Sequence, residues 1–223
     1  MEEMGIRPLL KERTLYRDEI YEYMKNAIIN RVLKPGERIV ETKWARDLGV
    51  SQSPVREAIR ELEMVGLVEN KPFYGTFVRE ITAKEVVDAY EVRISLEILG
   101  IREAVKLITD EKLAKIKTTI DEMKKASEDG DKYLFIEKNA SFHQQIIESS
   151  GNDMLLKLWK QCNIIEWTHL STNISSKTLL NLADRHDDVY EAIVERDEEK
   201  AVRRVRAHIE ELRDEAKKNL ADS

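Results

Sequence analysis

The stretch from residue 41 to residue 75 most constrains the fold, because apolar residues recur there at helical spacing on both sides of one glycine. Gly49 separates the two runs, and a residue without a Cβ lets the chain turn sharply between two helices. After the second run, two short apolar segments flank a turn that contains Gly75, which is typical of a β-hairpin. The pattern predicts a helix, a tight turn, a second helix and a two-stranded wing; the helical apolar positions are Ala45, Leu48, Val50, Val55, Ile59 and Leu62.

The second of these helices carries polar residues that suit a DNA groove. Ser51 is placed to cap it, and its first turn includes Gln52 and Ser53. Arg56 and Arg60 follow one helical turn apart, and arginine can bind guanine through two hydrogen bonds. The alternative is that both arginines form salt bridges on a solvated helix, with Glu57, Glu61 or Glu63. The turn before the helix and the wing after it favour DNA binding.

The same stretch resembles the winged-helix signature of the GntR family. The resemblance lies in residues 48–59, LGVSQSPVREAI, in the hairpin segments VGLV and YGTFV, and in LKPGERI upstream. It covers roughly residues 14 to 80 and implies that Ser51, Gln52, Ser53, Arg56 and Gly75 approach DNA. Relatives often carry a basic residue near the start of the first helix of the pair, where this chain has Thr42 and then Lys43. Lys43 is therefore a further candidate for a DNA contact.

The charge of the chain is divided unevenly. Of 37 Lys and Arg and 43 Asp and Glu, residues 1–80 hold 14 of each, which leaves 23 basic and 29 acidic residues for the rest. The net charge of −6 therefore belongs to the second part. Because attraction to DNA depends on the field within a Debye length of about 8–10 Å, a neutral head with a few placed arginines suits a site-specific binder.

Composition also bears on the cellular compartment. One cysteine, Cys162, excludes an intrachain disulfide and favours a reducing compartment. No apolar run approaches the roughly 20 residues that a membrane helix needs, and the first ten residues do not resemble a signal peptide. We expect a cytoplasmic protein with no membrane partner.

After residue 80 the chain contains no proline and only three glycines, and apolar residues recur at helical spacing. We expect helices at about 83–106, 110–128, 131–149, 152–170, 177–195 and 198–219. The predicted fold is mainly α: a winged helix-turn-helix with a small β-hairpin wing at 10–80, then an all-helical antiparallel bundle of about six helices at 81–220.

Three of the four histidines lie on apolar faces of these helices. His143 shares a face with Ile136 and Ile147, and Asn139 lies one turn before it. His186 and His208 are equally far from the predicted turn at residue 197, so in an antiparallel hairpin they meet at one level, about 16 Å from the turn at 1.5 Å per residue.

A single histidine on an apolar face is usually a hydrogen-bonded core residue, but three converging imidazoles need three sets of partners. A divalent metal satisfies them together, and an imidazole-rich set favours Zn²⁺ or Ni²⁺. His169 has no such companions and is expected to be structural.

The helical part resembles the FCD effector domain of the FadR-like branch of GntR regulators. The matching segments are RISLE from Arg93, NASFH from Asn139 leading to SGN, and the positions of His186 and His208. In metal-binding relatives the ligands are one acid and three histidines, so the resemblance implies Asn139, His143, His186 and His208. An amide in place of the acid leaves all four ligands neutral, which should weaken metal binding but favour an anionic effector.

Arg93 is the candidate that would hold a small carboxylate or sugar-acid effector beside the metal. The alternative for Arg93 is an ion pair with Glu97 on a solvated helix. A further alternative is that Asn139 signals loss of the metal, with the effector held by hydrogen bonds alone.

The expected function is a ligand-responsive transcription regulator, a repressor by family analogy. As a homodimer it would bind a palindromic operator in double-stranded DNA, because a two-fold protein reads a two-fold site. The competing hypothesis is a metal-dependent enzyme on the helical bundle, but such an enzyme has no need of a winged helix.

Overall fold

The computed structural model describes residues 6–30, 32–80, 82–162 and 177–221. These residues fall into two units, Met1–Ile81 and Thr82–Ser223. His169 and the end of the helix predicted at 152–170 lie outside the described residues.

Among its described residues, the first unit holds three helices and three short strands. Gly49 has a φ of 68°, in the left-handed region, and so ends one helix and lets the next begin three residues later. The elements are α1 (Ile6–Ile29), β1 (Arg38–Ile39), α2 (Glu41–Leu48), α3 (Gln52–Met64), β2 (Val68–Lys71) and β3 (Gly75–Val78).

Helix α3 packs across α1 through its apolar face. Val55, Ala58 and Leu62 are fully buried in one cluster with Ile20 and Met24 of α1. The opposite face of α3 is exposed, because polar residues occupy it between the apolar positions. The core therefore fixes which side of α3 faces outward.

The wing is part of an antiparallel sheet of order β1-β3-β2. Val68 pairs with Val78 on the β2–β3 side, and Arg38 pairs with Phe77 on the β1–β3 side. The sequence predicted two strands, and the third, β1, is only two residues long and pairs with a distant segment. Helix α1 was also not predicted.

The second unit contains six helices within the described residues. Five of them have an N-cap side chain that accepts a hydrogen bond from a backbone N–H of the first turn. These N-cap residues are Thr82, Thr109, Asp131, Asn152 and Thr178, which precede the helices that begin at 83, 110, 132, 153 and 179. The helices are α4 (Ala83–Leu107), α5 (Asp110–Glu128), α6 (Lys132–Ser149), α7 (Asp153–Gln161), α8 (Leu179–Val194) and α9 (Glu198–Ala221).

Helix α4 packs against α9 and α6, α5 packs against α6 and α8, and α8 packs against α9. Gly100 allows α4 to approach α6 closely, since a Cβ there would lie 2.4 Å from Ile147 Cδ1. The predicted fold class, a winged helix-turn-helix followed by a helical bundle, is confirmed. No helix in the described ranges is both long and apolar enough to span a membrane.

Candidate functional site

The start of α3 is an exposed N-terminus. Ser51 is the N-cap residue, with φ −72° and ψ 162°, but its side chain makes no capping hydrogen bond, so the predicted cap bond is wrong. The hydroxyl remains exposed, as do Gln52 and Ser53. The N–H groups of the first turn therefore have no side-chain acceptor from the cap, and such a helix end can bind a phosphate.

The candidate arginines of α3 are both exposed. Arg56 Nε lies 3.0 Å from Glu41 Oε2 of α2, so its partner is none of the three glutamates expected from the sequence. Arg60 and Lys43 are exposed as well. The predicted DNA-binding residues all lie in the first unit: Lys43 on α2, Ser51 at the N-cap of α3, Gln52, Ser53, Arg56 and Arg60 on α3, and Gly75 on β3.

Gly75 begins strand β3 with a φ of 103°, where a side chain would be strained. A Cβ at this position would lie 3.3 Å from Nε and Nη2 of Arg38. Arg38 is exposed on β1 and was not among the predicted residues. Only the pairing of β1 with β3 brings it to the wing, and the sequence does not reveal that pairing.

In the second unit, α6, α8 and α9 bring three buried histidines together. The ring centroids are 5.6 Å apart for His143 and His186, 5.2 Å for His143 and His208, and 4.5 Å for His186 and His208. One nitrogen from each ring can be chosen so that all three lie within 4.8 Å of one another. The three imidazoles therefore lie close together, and none of them forms an ion pair with another.

Glu97 of α4 fixes the orientation of the first imidazole. His143 Nδ1 lies 2.6 Å from Glu97 Oε2, while His143 Nε2 is buried and has no hydrogen-bond partner among the described residues. Glu97 also accepts hydrogen bonds at Oε1 from Arg93 Nε, at 2.7 Å, and from Trp159 Nε1, at 3.3 Å. A carboxylate that holds one imidazole nitrogen leaves the other free to bind a metal.

The other imidazoles show a mismatch of donors and acceptors. His186 Nδ1 lies 3.0 Å from the carbonyl oxygen of Ala183, and its Nε2 lies 2.9 Å from Asn139 Oδ1. A neutral imidazole can donate at only one nitrogen, so two acceptors face each other unless a cation lies beside both or the amide is rotated. Both nitrogens of His208 are buried without a partner among the described residues.

The protonation states suit a metal site. Burial lowers the pKa of His143, and burial together with the neighbouring imidazoles lowers the pKa of His186 and His208 well below the ordinary value. Burial would raise the pKa of Glu97, but interactions with His143 and Arg93 outweigh it and lower that pKa to about 2. At neutral pH the site holds neutral imidazoles and an ionised carboxylate.

Two buried or nearly buried guanidinium groups lie beside the histidines. Arg93 is 2% exposed and forms the expected ion pair with Glu97, but on a buried face rather than a solvated one. Its Nη1 and Nη2 are buried and have no partner in the described part of the chain. Arg185, which was not predicted, donates through Nη2 to the carbonyl of His208 and lies 2.8 Å from Glu211 Oε2.

Two protein-family models match the chain, one on each unit. Residues 16–78 match the model described as bacterial regulatory proteins of the gntR family. Residues 88–211 match the FCD domain model.

Curated relatives match along most of their length, among them two regulators at 30% identity or more. The HTH-type transcriptional regulator YdhC of Bacillus subtilis is 31% identical over 89% of this chain and 90% of its own. The "Probable D-xylose utilization operon transcriptional repressor" of Paenarthrobacter nicotinovorans is 30% identical over 88% and 87%.

The second unit is similar to the FCD domain of the transcriptional regulator TM0439, which has been solved metal-free and with Zn²⁺ bound. The Zn²⁺-bound domain gives a TM-score of 0.53 at 23% identity over 65% of this chain and 99% of that one. The metal-free domain gives 0.55 at 22% identity with the same coverage. At these identities the similarity establishes the fold.

Proposed function

The chain belongs to the GntR family of bacterial transcription regulators and joins their DNA-binding domain to an FCD effector domain, and we propose that it is a repressor controlled by a metal-assisted carboxylate effector. As a family member it is a DNA-binding regulator and not an enzyme. The proposal concerns the metal, the effector and the assembly.

One observation carries the metal proposal: the buried imidazoles of His143, His186 and His208 offer nitrogens that lie within 4.8 Å of one another, and His143 Nε2 and both nitrogens of His208 have no hydrogen-bond partner among the described residues. Asn139 Oδ1 lies 2.9 Å from His186 Nε2. Two ligand atoms about 2.1 Å from one ion are about 3 Å apart when they lie at right angles, as in octahedral coordination, so this spacing suits a shared cation. Three imidazoles and an amide oxygen favour Zn²⁺ or Ni²⁺.

The charge of the site supports an anionic effector. Arg93 and Glu97 cancel each other, and Asn139 and the neutral histidines add no charge. A bound dication would supply an uncompensated positive charge and a Lewis-acidic contact for a carboxylate. Nη1 and Nη2 of Arg93 offer the planar pair of donors that binds a carboxylate with two hydrogen bonds.

Glu97 organises both halves of this site. Through Oε2 it holds His143 with Nε2 available to the metal, and through Oε1 it holds Arg93 by Nε with the two terminal nitrogens left for the effector. Removing either contact would leave a buried polar group unpaired, which is costly.

On DNA, a homodimer would place two copies of α3 in a palindromic operator. Binding of the carboxylate would favour a conformation of the helical domain with lower operator affinity, because a ligand shifts an equilibrium by its differential affinity for the two states. The effector would thus release the repressor. Sedimentation of the protein with one operator duplex should give a mass of two chains per duplex.

Metal content tests the metal centre directly. Protein purified without chelator should contain about one equivalent of Zn²⁺ or Ni²⁺ per chain, measured by mass spectrometry of the metals. The double variant His186→Ala plus His208→Ala should contain none, while Arg203→Ala, an exposed change on α9, should keep it. A wild type that stays metal-free after incubation with zinc and dialysis contradicts the metal centre.

A thermal-shift screen of carboxylic and sugar acids, with zinc and with chelator, tests the effector. We expect the acid that stabilises the protein most to raise the melting temperature only in the presence of metal. An equal rise with chelator would replace the metal proposal by the second candidate, a regulator that holds its effector by hydrogen bonds alone. That candidate corresponds to a rotated Asn139 amide that donates Nδ2 to His186.

A further inference from the structure

The turn at the tip of the wing has an unfavourable residue at its third position. The Tyr74 N–H donates to the Lys71 carbonyl at 2.9 Å, which closes a four-residue turn with Pro72 second and Phe73 third. Phe73 has a φ of 69°. A proline followed by a positive φ is the pattern of a type II turn, in which glycine or asparagine is favoured at the third position. A bulky aromatic residue there is strained.

The same side chain is completely exposed. Phe73 is 105% exposed and Tyr74 is 72% exposed, so two neighbouring aromatic rings at the tip contribute little to the core. Isolated exposed apolar residues are common and need no explanation. Here the exposure coincides with backbone strain at the same residue, and strained residues that persist are concentrated at functional positions.

Cations lie behind this tip. Lys71 pairs in register with Gly75, and the guanidinium of Arg38 lies beside Gly75 from the other neighbouring strand. Lys71 Nζ lies 3.0 Å from Glu69 Oε1 and 5.2 Å from the centroid of the Phe77 ring. The wing therefore presents an aromatic tip with a basic side chain on each side of its base.

We propose that Phe73 is a wedge that enters the minor groove of the operator and partly separates one base step, while Arg38 and Lys71 bind the flanking phosphates. Apolar wedges in the minor groove unstack bases and kink the duplex, and cations on either side hold the phosphates. Pro72 restricts the turn, so little conformational freedom is lost when the tip inserts. The proposal rests on the DNA-binding role of the head and not on the metal centre.

The wedge predicts a preference at bases that α3 does not contact. Pyrimidine–purine steps unstack most easily, so a TA or CA step should lie under the wing in each half-site. Changing that step to a stiff A-tract should weaken binding by the wild type.

The test uses the full-length protein and a duplex that it selects from a random-sequence library. Phe73→Gly should raise the melting temperature, because glycine relieves the turn, yet lower DNA affinity by about tenfold. End-to-end energy transfer in a doubly labelled duplex should show a kink with the wild type and its loss with Phe73→Gly. A fluorescent adenine analogue at the step under the wing should brighten only with the wild type.

Met64→Ala serves as the control, since Met64 is 75% exposed on the same unit but lies at the end of α3. It should bind and kink the duplex as the wild type does. Unchanged affinity and kink in Phe73→Gly would overturn the proposal. A weaker complex with the same kink would also overturn it, because Phe73 would then contact DNA without entering the base stack.

Discussion

Glu97 Oε2 lies 2.6 Å from His143 Nδ1, and this contact joins two buried side chains from α4 and α6. Among the residues that the structure describes, the Glu97 carboxylate is the buried negative charge nearest the candidate metal ligands. The ligand set itself carries no negative charge, because it has an amide at Asn139. Glu97 therefore stands behind the first imidazole, where it can raise the basicity of the ligand and partly offset the charge of a bound dication.

Replacing Glu97 by glutamine should weaken zinc binding by about ten- to a hundredfold, because the side chain keeps its shape but loses its charge. A chelator-competition titration measures this. Glu91→Gln, an exposed change on the same helix, should leave the zinc affinity unaltered. Equal zinc affinity in Glu97→Gln and wild type would show that the carboxylate does not support the metal centre.

The fluorescence of Trp159 gives a second readout of zinc binding at this site. Its indole Nε1 donates to Glu97 Oε1 at 3.3 Å, and the residue is buried. Zinc titrated into the wild type should change the tryptophan fluorescence, and Trp159→Phe should remove most of that change while leaving zinc affinity within a few-fold. A full response in Trp159→Phe would place the reporting tryptophan elsewhere.

Arg93→Lys should weaken effector binding and leave metal binding nearly unchanged. Lysine keeps a positive charge near Glu97 but lacks the planar pair of terminal donors. The affinity for the acid that binds best in the thermal-shift screen should therefore fall about tenfold or more. Zinc affinity should change little, because Arg93 is not a ligand. Calorimetric titration measures both, and Arg102→Lys on the exposed side of α4 is the control. A parallel loss of zinc would assign Arg93 a purely structural role.

The metal-free protein should lose stability on mild acidification. The pKa values of His186 and His208 are lowered in the folded state, mainly by burial, so below about pH 6.5 the unfolded chain binds more protons than the folded one. Stability is then fully present above that pH and falls below it, by up to about 1.4 kcal/mol per pH unit for each histidine.

Denaturant titrations with chelator at pH 7.5 and 5.5 test this. His208→Gln should reduce the pH dependence of the unfolding free energy, since one histidine no longer titrates between the two states. Glu97 does not confound the comparison, because its lowered pKa affects stability only as the pH falls from about 4.5 towards 2. A variant with the same pH dependence as the wild type would contradict a buried neutral His208.

The sequence predicts those parts of this site that depend on residues close together in the chain, and it does not predict those that depend on distant residues. The meeting of His186 and His208 follows from counting outward from one turn, because a helical hairpin is a local structure. The role of Glu97 was missed, although Tyr90, Ile94 and Ile101 show that its face of α4 is apolar and therefore buried. That periodicity excludes the solvated ion pair with Arg93 but does not reveal which side chain of α6 the carboxylate meets.

The DNA-binding unit shows the same division. The two helices and the wing follow from local signals, and they are confirmed. Strand β1 and the position of Arg38 depend on pairing with a segment about 40 residues away, which no local pattern encodes. The strained conformation of Phe73 also escapes the sequence, because propensities favour glycine at that position.

Arg56→Ala should weaken operator binding and also lower its specificity. Arg56 is exposed on α3 and held by Glu41 at 3.0 Å, so it is oriented before DNA arrives. If it reads a guanine, its loss costs about 1–3 kcal/mol for the operator and little for unrelated DNA. Gel shifts with both duplexes over a series of salt concentrations measure this. A uniform loss on both duplexes, with the salt slope reduced by about one, would instead assign Arg56 to a phosphate. Undiminished operator binding would remove it from the interface.

Glu41→Gln provides the complementary change. It releases Arg56, and it should weaken operator binding less than Arg56→Ala does, because the guanidinium remains available to the base.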